Sequence, residues 1–332
     1  MPLKRLAVNA LRNLNTVDID LSSRVNLFYG LNGSGKTSVL EAVSVLGLGR
    51  SFRSHKLKPL INTDQDRLTV FGLLHEKGGA ESPVGVMRTR AGESLFKLNG
   101  NPVSSASLLA EQLPLQVLNS QSFQLLEGSP KIRRQFVDWL VFHVEPAFLP
   151  AWKDLQRCLK QRNSLLRRDR ISAAELRPWD QELCALAAKI DPYRAQRVEQ
   201  FLAVFQGLVA EFIKVENLQI KYYRGWDRDK ELSEVLDESL ERDAKRGYTG
   251  LGPHRADLKI TVGGQLAVDI LSRGQQKLLI CALRIAQGYV FAQQTGRACV
   301  YLVDDLPSEL DPKFQSVMAQ WLYTMGCQVL IT

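Results

Sequence analysis

Apolar and polar positions alternate twice near the start of the chain. Leu6 and Val8 come first, then Val17, Ile19 and Leu21 set against Asp18 and Asp20. A period of two predicts a β-hairpin, with Arg12-Asn13 in its turn. The short apolar run Val25-Asn26-Leu27-Phe28-Tyr29 predicts a buried strand. Val39, Leu40, Val43 and Leu46 then recur at helical spacing. Gly47 and Gly49 are expected to stop that helix. Arg50 and Arg53 emerge from its end, either as surface charges or as contacts to a phosphate or to DNA. From Leu68 to Val103 the pattern is one of short strands, with Asn99-Gly100 as a hairpin turn. A helix near 104–112 and a strand near 114–119 follow. From Pro130 to about Phe212 the period is helical, and Trp152, Leu155, Leu159 and Leu166 mark one face. Strand character returns at 217–224, and a charged helix is expected near 230–245. Gly263-Gly264 then predicts a hairpin between Leu258–Val262 and Leu266–Val268. These shifts divide the chain into 1–119, a mainly helical 120–249, and 250–332.

Composition adds bounds. The chain has 332 residues, 45% hydrophobic and 23% charged, enough for about two domains. It has no run of about 18 apolar residues, so no membrane span is predicted. Met1-Pro2-Leu3-Lys4-Arg5 leads into alternation rather than an apolar signal core. The five cysteines (Cys158, Cys184, Cys281, Cys299, Cys327) are scattered and lack metal spacing. They read as reduced thiols in a cytoplasmic protein. A net charge of +8 and a pI near 9.2 suit a polyanionic partner. Residues 151–170 hold seven basic side chains against two acids, a net of +5. This stretch is either a solvated helix face or a stripe that tracks phosphates, with Arg157, Lys160 and Arg168 as the DNA contacts.

The chemistry starts at Gly30-Leu31-Asn32-Gly33-Ser34-Gly35-Lys36-Thr37, which fits G-x-x-x-x-G-K-[ST] without substitution. A strand, a glycine-rich turn and a helix start form a phosphate cradle, because consecutive N–H groups and the helix dipole point at one anion. Lys36 is expected to reach the β- and γ-phosphates and Thr37 to hold Mg²⁺. Arg12 and Asn13, just before the cradle, are expected to touch nucleotide. Two later stretches extend the site. Leu271-Ser272-Arg273-Gly274-Gln275-Gln276 opens a helix, with Ser272 as a good N-cap. Val300-Tyr301-Leu302-Val303-Asp304-Asp305 is an apolar strand that ends in two carboxylates. Asp304 is expected to hold Mg²⁺ and Asp305 to polarise the attacking water, with Lys36 as the charge on the transferring group. Ser308-Glu309-Leu310-Asp311 follows.

This motif order resembles that of ABC-type ATPases. From Thr37 to Leu271 is an interval of 234 positions, and a long helical insertion resembles SMC-like chromosome and repair ATPases rather than transporter subunits. The whole chain resembles the bacterial recombination mediator RecF family. The carrying residues are Leu11–Leu14, Gly30–Thr37, Leu46–Ser54, Arg133-Arg134-Gln135-Phe136-Val137-Asp138, Leu159–Asn163, Gly252-Pro253-His254-Arg255-Ala256-Asp257, and Leu271–Gln275.

The resemblance implies an α/β fold: an ABC-type ATPase head (P-loop NTPase) with an antiparallel β subdomain and a helical arm. On this reading 1–119 and 250–332 are the two halves of the head, and 120–249 is the arm. It implies weak ATP hydrolysis with Mg²⁺, and an ATP-dependent homodimer in which Ser272, Gly274 and Gln275 complete the partner's nucleotide site. It also implies binding to double-stranded DNA and to single-strand/double-strand junctions. Gap repair would follow, with RecR, RecO and loading of RecA, and no membrane. Family members are expected to continue past Thr332 with a switch region. Two rival readings stay open here: an ATPase subunit that energises a transporter, and a scaffold that binds ATP without hydrolysing it.

Overall fold

The computed structural model describes residues 2–54, 56, 58–75, 78–168, 172–305 and 311–332. In chain order the elements are β1 (Leu3–Leu11), β2 (Leu14–Asp20), β3 (Val25–Leu27), α1 (Lys36–Leu48), β4 (Arg67–His75), β5 (Glu81–Thr89), β6 (Ser94–Leu98), β7 (Asn101–Val103), α2 (Ala106–Gln112) and β8 (Leu115–Leu118). Then come α3 (Gln124–Glu127), α4 (Pro130–Val144), α5 (Phe148–Leu166), α6 (Ala173–Phe212), β9 (Leu218–Tyr223), α7 (Leu232–Arg246), β10 (Asp257–Val262), β11 (Gln265–Leu266) and α8 (Ala267–Ile270). Last are α9 (Arg273–Thr295), β12 (Val300–Val303), α10 (Pro312–Thr324) and β13 (Gln328–Ile331). The chain forms two compact units, 1–122 with 281–332, and 123–280. The later boundary falls at 280/281 rather than the expected 249/250. The reason is that β10 pairs with β9 along its whole length, from Asp257↔Tyr223 to Val262↔Leu218, and so stays with the helical residues.

The first unit holds an antiparallel sheet, β2-β1-β4-β5-β6-β7, and a parallel sheet, β3-β13-β12-β8. Helix α1 joins their cores. Val39, Leu40, Val43 and Leu46 pack in one cluster with Leu6, Leu68 and Leu74 of the antiparallel sheet and with Leu115, Leu302 and Leu330 of the parallel one. A helix covered on both sides should be apolar all round, and α1 is buried from Ser38 through Gly47. Gly47 does not stop it. A Cβ there would come 2.6 Å from Leu115 Cδ1, so the glycine serves packing. Gly49, left-handed at φ 65°, is the C-cap, and its N–H bonds to the Val45 carbonyl. The apolar run at 25–29 is not a buried strand. As β3 it lies at the edge of the parallel sheet, leaving Val25 55% and Leu27 64% exposed, with Tyr29 beyond it 88% exposed.

The second unit joins α3–α8 with the sheet β11-β10-β9. The 266–268 stretch is not a strand beyond Leu266, because Ala267–Ile270 closes into a helical turn. Ion pairs between distant stretches hold this unit. Arg133 bonds to both Asp257 oxygens, at 2.7 and 3.1 Å, and Arg134 to the Ala256 carbonyl at 2.7 Å. Arg194 bonds to Asp138 at 2.7 and 2.9 Å and to the Pro253 carbonyl at 2.6 Å. The stretches at 133–138 and 252–257, read as family signatures, therefore meet. Arg162, one of the basic residues of 151–170, is fully buried and bonds to Asp180, Asp243 and Thr249 at 2.6, 3.1 and 2.9 Å. It is a core cation. Trp152, expected on the apolar face of α5, is exposed, whereas Leu155, Leu159 and Leu166 are buried as expected.

Candidate nucleotide site

The phosphate loop and the paired acids leave the parallel sheet at its carboxyl end, whereas Arg12 and Asn13 come from the β1–β2 turn and Arg50 and Arg53 from the segment after α1. β3 runs into the Gly30–Gly35 loop, β12 into Asp304 and Asp305, and β13 into Thr332. Ligands of parallel α/β sheets bind at that edge. Gly35 sits at φ 102°, and a Cβ would lie 2.7 Å from Leu14 Cδ2, so only glycine fits. Gly30 (φ 148°) and Gly33 (φ 81°) also take positive φ. Asn13 braces the loop: its Nδ2 donates to the Gly33 carbonyl and its Oδ1 accepts from Ser38 Oγ, both at 2.8 Å. Leu31, Asn32 and Ser34 form the exposed crest. Lys36 Nζ donates to the Gly30 and Leu31 carbonyls at 2.9 and 3.0 Å, which holds the ammonium over the loop.

Thr37 Oγ1 donates to Asp304 Oδ1 at 2.8 Å, across 267 positions of sequence. Thr332 Oγ1 donates to the same oxygen at 3.0 Å. Burial raises the Asp304 pKa above the usual carboxylate value, while the two hydroxyls oppose that shift. A hydroxyl beside one carboxylate is a donor set that would suit Mg²⁺, with water and phosphate oxygens filling the other positions. Among the described residues no cluster of three or more acidic, His or Cys ligands competes for a metal. Asp305 follows at a left-handed φ of 55°, on the lining of the cleft, with its N–H 3.3 Å from Thr332 Oγ1.

The cleft measures about 920 Å³ and is lined by the loop, Asp305, Arg12, Arg53, Pro59 and residues 61–64. Arg12 is less free than its position suggests. Its guanidinium grips both oxygens of Glu41 at 2.7 and 2.9 Å and donates to the Pro59 carbonyl at 2.7 Å. The Glu41 hydrogen bond raises the Arg12 pKa further. Glu41 is fully buried on α1, also accepts from Ser51 Oγ, and lies 4.0 Å from Arg53. Sequence reasoning missed Glu41, although a lone acid within an all-apolar helix was a usable signal. It also missed the wall at 61–64, whose turn is pinned by three bonds from Arg90 to the Asn62, Thr63 and Gln65 carbonyls. Arg53 faces this cleft, whereas Arg50 is exposed and not part of its lining.

In the second unit Ser272 and Gln275 form a reciprocal capping box. Ser272 Oγ accepts from the Gln275 N–H at 3.3 Å, and Gln275 Oε1 accepts from the Ser272 N–H at 3.0 Å. Gly274 is exposed, and a Cβ there would meet nothing within 4 Å. Among the described residues nothing requires this glycine. On α5 Arg157 pairs with Asp154, and just past its end Arg168 pairs with Glu175 of α6 at 3.2 Å, all exposed or nearly so. Lys160 is exposed. Asp169, Arg170 and Ser308–Leu310 lie outside the described residues. Asp311 caps α10 by accepting from the Lys313 N–H at 2.9 Å.

The sequence matches the RecF/RecN/SMC N-terminal domain family over residues 2–332. It is 59% identical to the DNA replication and repair protein RecF of Cellvibrio japonicus (strain Ueda107), covering 100% of this chain and 91% of that protein. It is 52% identical to RecF of Pseudomonas putida (strain W619), covering 100% and 90%. The fold superposes on the recombination mediator protein RecF with ATP, of the RecFOR pathway, with a TM-score of 0.90 at 26% identity, over 100% of this chain and 91% of that one. An Smc head bound to the C-terminal winged-helix domain of ScpA shares the fold with a TM-score of 0.59 at 14% identity, over 100% and 89%. Phosphate loop, paired acids, capped signature helix and these full-length likenesses agree, and the chain belongs to the RecF family of SMC-like, ABC-type ATPases.

Proposed function

We propose that this chain binds ATP with Mg²⁺ in the cleft of the first unit, dimerises around two nucleotides, and holds DNA in that state during repair of single-strand gaps. The bond from Thr37 to Asp304 carries the reading. It joins the phosphate loop to the strand-end carboxylate that a metal-bound triphosphate requires. Lys36 places a fixed cation where charge develops on the phosphoryl group. Thr37 and Asp304 hold the ion, which supplies neutralisation of the phosphate oxygens when bound. Asp305, on the cleft lining, orients or deprotonates the attacking water. A base as short as aspartate suits slow hydrolysis, and so a timer. The partner subunit's nucleotide is completed by Ser272, Gly274 and Gln275, which accounts for a glycine whose missing Cβ would meet none of the described residues.

The names of the relatives support a role in DNA replication and repair. In that role the ATP dimer binds double-stranded DNA and single-strand/double-strand junctions and acts in the cytoplasm with RecR and RecO to load RecA. Arg50 and Lys160 are exposed cations for phosphates. Arg157 and Arg168 sit in surface ion pairs worth at most about 1 kcal/mol, which a phosphate can displace. Arg53 is assigned to the nucleotide side.

Retention of labelled duplex DNA is the direct test. Lys36→Met is expected to abolish ATP-dependent retention, whereas Asp305→Asn should keep ATP binding and lengthen the lifetime of the DNA complex. Retention by Lys36→Met equal to that of the parent would remove the phosphate loop from the mechanism.

A further inference from the structure

The three-stranded sheet of the second unit carries an arrangement that its own fold does not use. In the β9–β10 register Lys221 stands directly opposite Lys259. Both are exposed, and strand alternation puts them on the face away from Ile220 and Ile260. Like charges directly opposite across antiparallel strands destabilise the pair. Among the described residues neither lysine has a carboxylate in ion-pair range. Lys259 Nζ lies 5.4 Å from the centre of the Tyr223 ring, which holds it on this face. Arg228 adds a third positive charge. Its Nη2 donates to the Tyr222 carbonyl at 2.9 Å.

That bond also marks the direction of the backbone. In an antiparallel strand the N–H and C=O of one residue point the same way and alternate along the chain. Tyr222 and Ile220 therefore turn their backbone groups away from β10. Among the described residues β10 is the one strand neighbour of β9, so β9 is an edge. This edge forms one wall of a groove of about 850 Å³, and α6 forms the other. Val198 and Leu202 give that second wall an apolar surface, and Glu199 is the sole acid in the lining.

We propose that this groove docks an extended segment of a partner protein in which acidic side chains alternate with apolar ones. The segment extends the sheet past β9 and bonds to both backbone groups of Ile220 and to the Tyr222 N–H, the Tyr222 carbonyl being held by Arg228. Its period of two places acids on the face of Lys221 and Lys259 and apolar side chains against Ile220 and Leu202. The acid relieves the opposed lysines, which is why the fold tolerates them. A nucleic-acid backbone would meet the cations, but its phosphates would lose water against the apolar wall without compensation. Docking here needs no nucleotide, since every lining residue of the groove belongs to the second unit and the phosphate loop to the first.

The test uses the full chain without nucleotide and a short fluorescent peptide of alternating glutamate and valine, read by anisotropy. A lysine–valine peptide and an oligothymidylate are the comparisons. The glutamate peptide should bind saturably and the lysine peptide should not. The double variant Lys221→Glu, Lys259→Glu should weaken binding by about tenfold or more. Hydrogen exchange at the Ile220 and Tyr222 amides should slow in the complex. The pair Lys221→Gln, Lys259→Gln controls for folding: it should lose the peptide while melting at or above the parent's temperature. Absence of saturable binding, equal binding of both peptides, an unaffected charge-reversed variant, unchanged exchange at β9, or displacement of the peptide by oligothymidylate would each overturn the proposal. So would a glutamine variant that melts well below the parent, since the lysines would then serve the fold.

Discussion

Arg157 and Arg162 share one helix and one formal charge, yet they do opposite work. Arg157 lies on the outside of α5 with 78% of its side chain exposed and pairs with Asp154. Arg162 is fully enclosed by Asp180, Asp243 and Thr249. Removing one member of a buried pair strands its partner without solvent, whereas an exposed partner is rehydrated. Arg162→Met should therefore cost about 3–5 kcal/mol of stability, and Arg157→Ala less than about 1 kcal/mol. Urea denaturation of both variants checks this, and similar midpoints for the two would refute the assignment of Arg162 to the core. On sequence, both arginines belonged to one basic stretch. The helical period separated them by face only in part, because Arg162 is buried beside Cys158, Leu159 and Leu166 through its acids rather than through apolarity.

At the scale of elements, the stretch at 252–257 shows a loop that works as a rivet. Its His254 is held by a contact of 2.9 Å between Nε2 and the Thr249 carbonyl, and its Nδ1 has no hydrogen-bond partner among the described residues. Burial pushes its pKa down to about 4. The unfolded chain takes up this proton near pH 6.5, and the folded chain only near 4, so the folded state loses ground as pH falls between those values. Stability should be full above about pH 6.5 and fall by up to about 3 kcal/mol toward pH 4. Guanidinium melts across that range should show the slope in the parent and a flatter one in His254→Gln. An unchanged slope would place the titration elsewhere. The Ser272–Gln275 box at the start of α9 is likewise local, and capping alone is worth about 1 kcal/mol. Capping says nothing of Gly274, which is why that helix start is assigned to a partner.

The whole molecule is where the shared-site idea and the DNA surface are tested. Ser272→Arg blocks the signature side of a composite site, and Lys36→Met blocks the phosphate-loop side. Neither variant alone should hydrolyse ATP. Mixed together they form one intact site per heterodimer, and part of the activity should return in a steady-state phosphate-release assay. Full activity of Ser272→Arg by itself would defeat the model. For DNA, neutralising Arg157, Lys160 and Arg168 together should reduce the slope of log affinity against log salt by roughly 0.9 for each phosphate that is no longer neutralised. Sequence preference should stay as it is, because phosphate contacts carry no base information. A slope equal to the parent's would leave this face of α5 merely solvated.

Local pattern was enough wherever neighbours in sequence settle the structure. The phosphate loop, the hairpin turns at 12–13 and 99–100, the capping serine and the acids ending β12 all stand where composition and spacing put them. Their physics is short-range: a positive φ, a capped N–H, a period of two or 3.6. Tertiary structure alone decided which side of an element meets solvent and which charges are already spent. It set β3 at a sheet edge and exposed Val25 and Leu27. It spent Arg12 on Glu41, drew Arg162 inside, and turned Ala267-Val268 from a strand into a helical start. It also joined Thr37 to Asp304 across 267 positions. These particular burials and bonds depend on groups 18 or more positions away along the chain, beyond the reach of any local pattern.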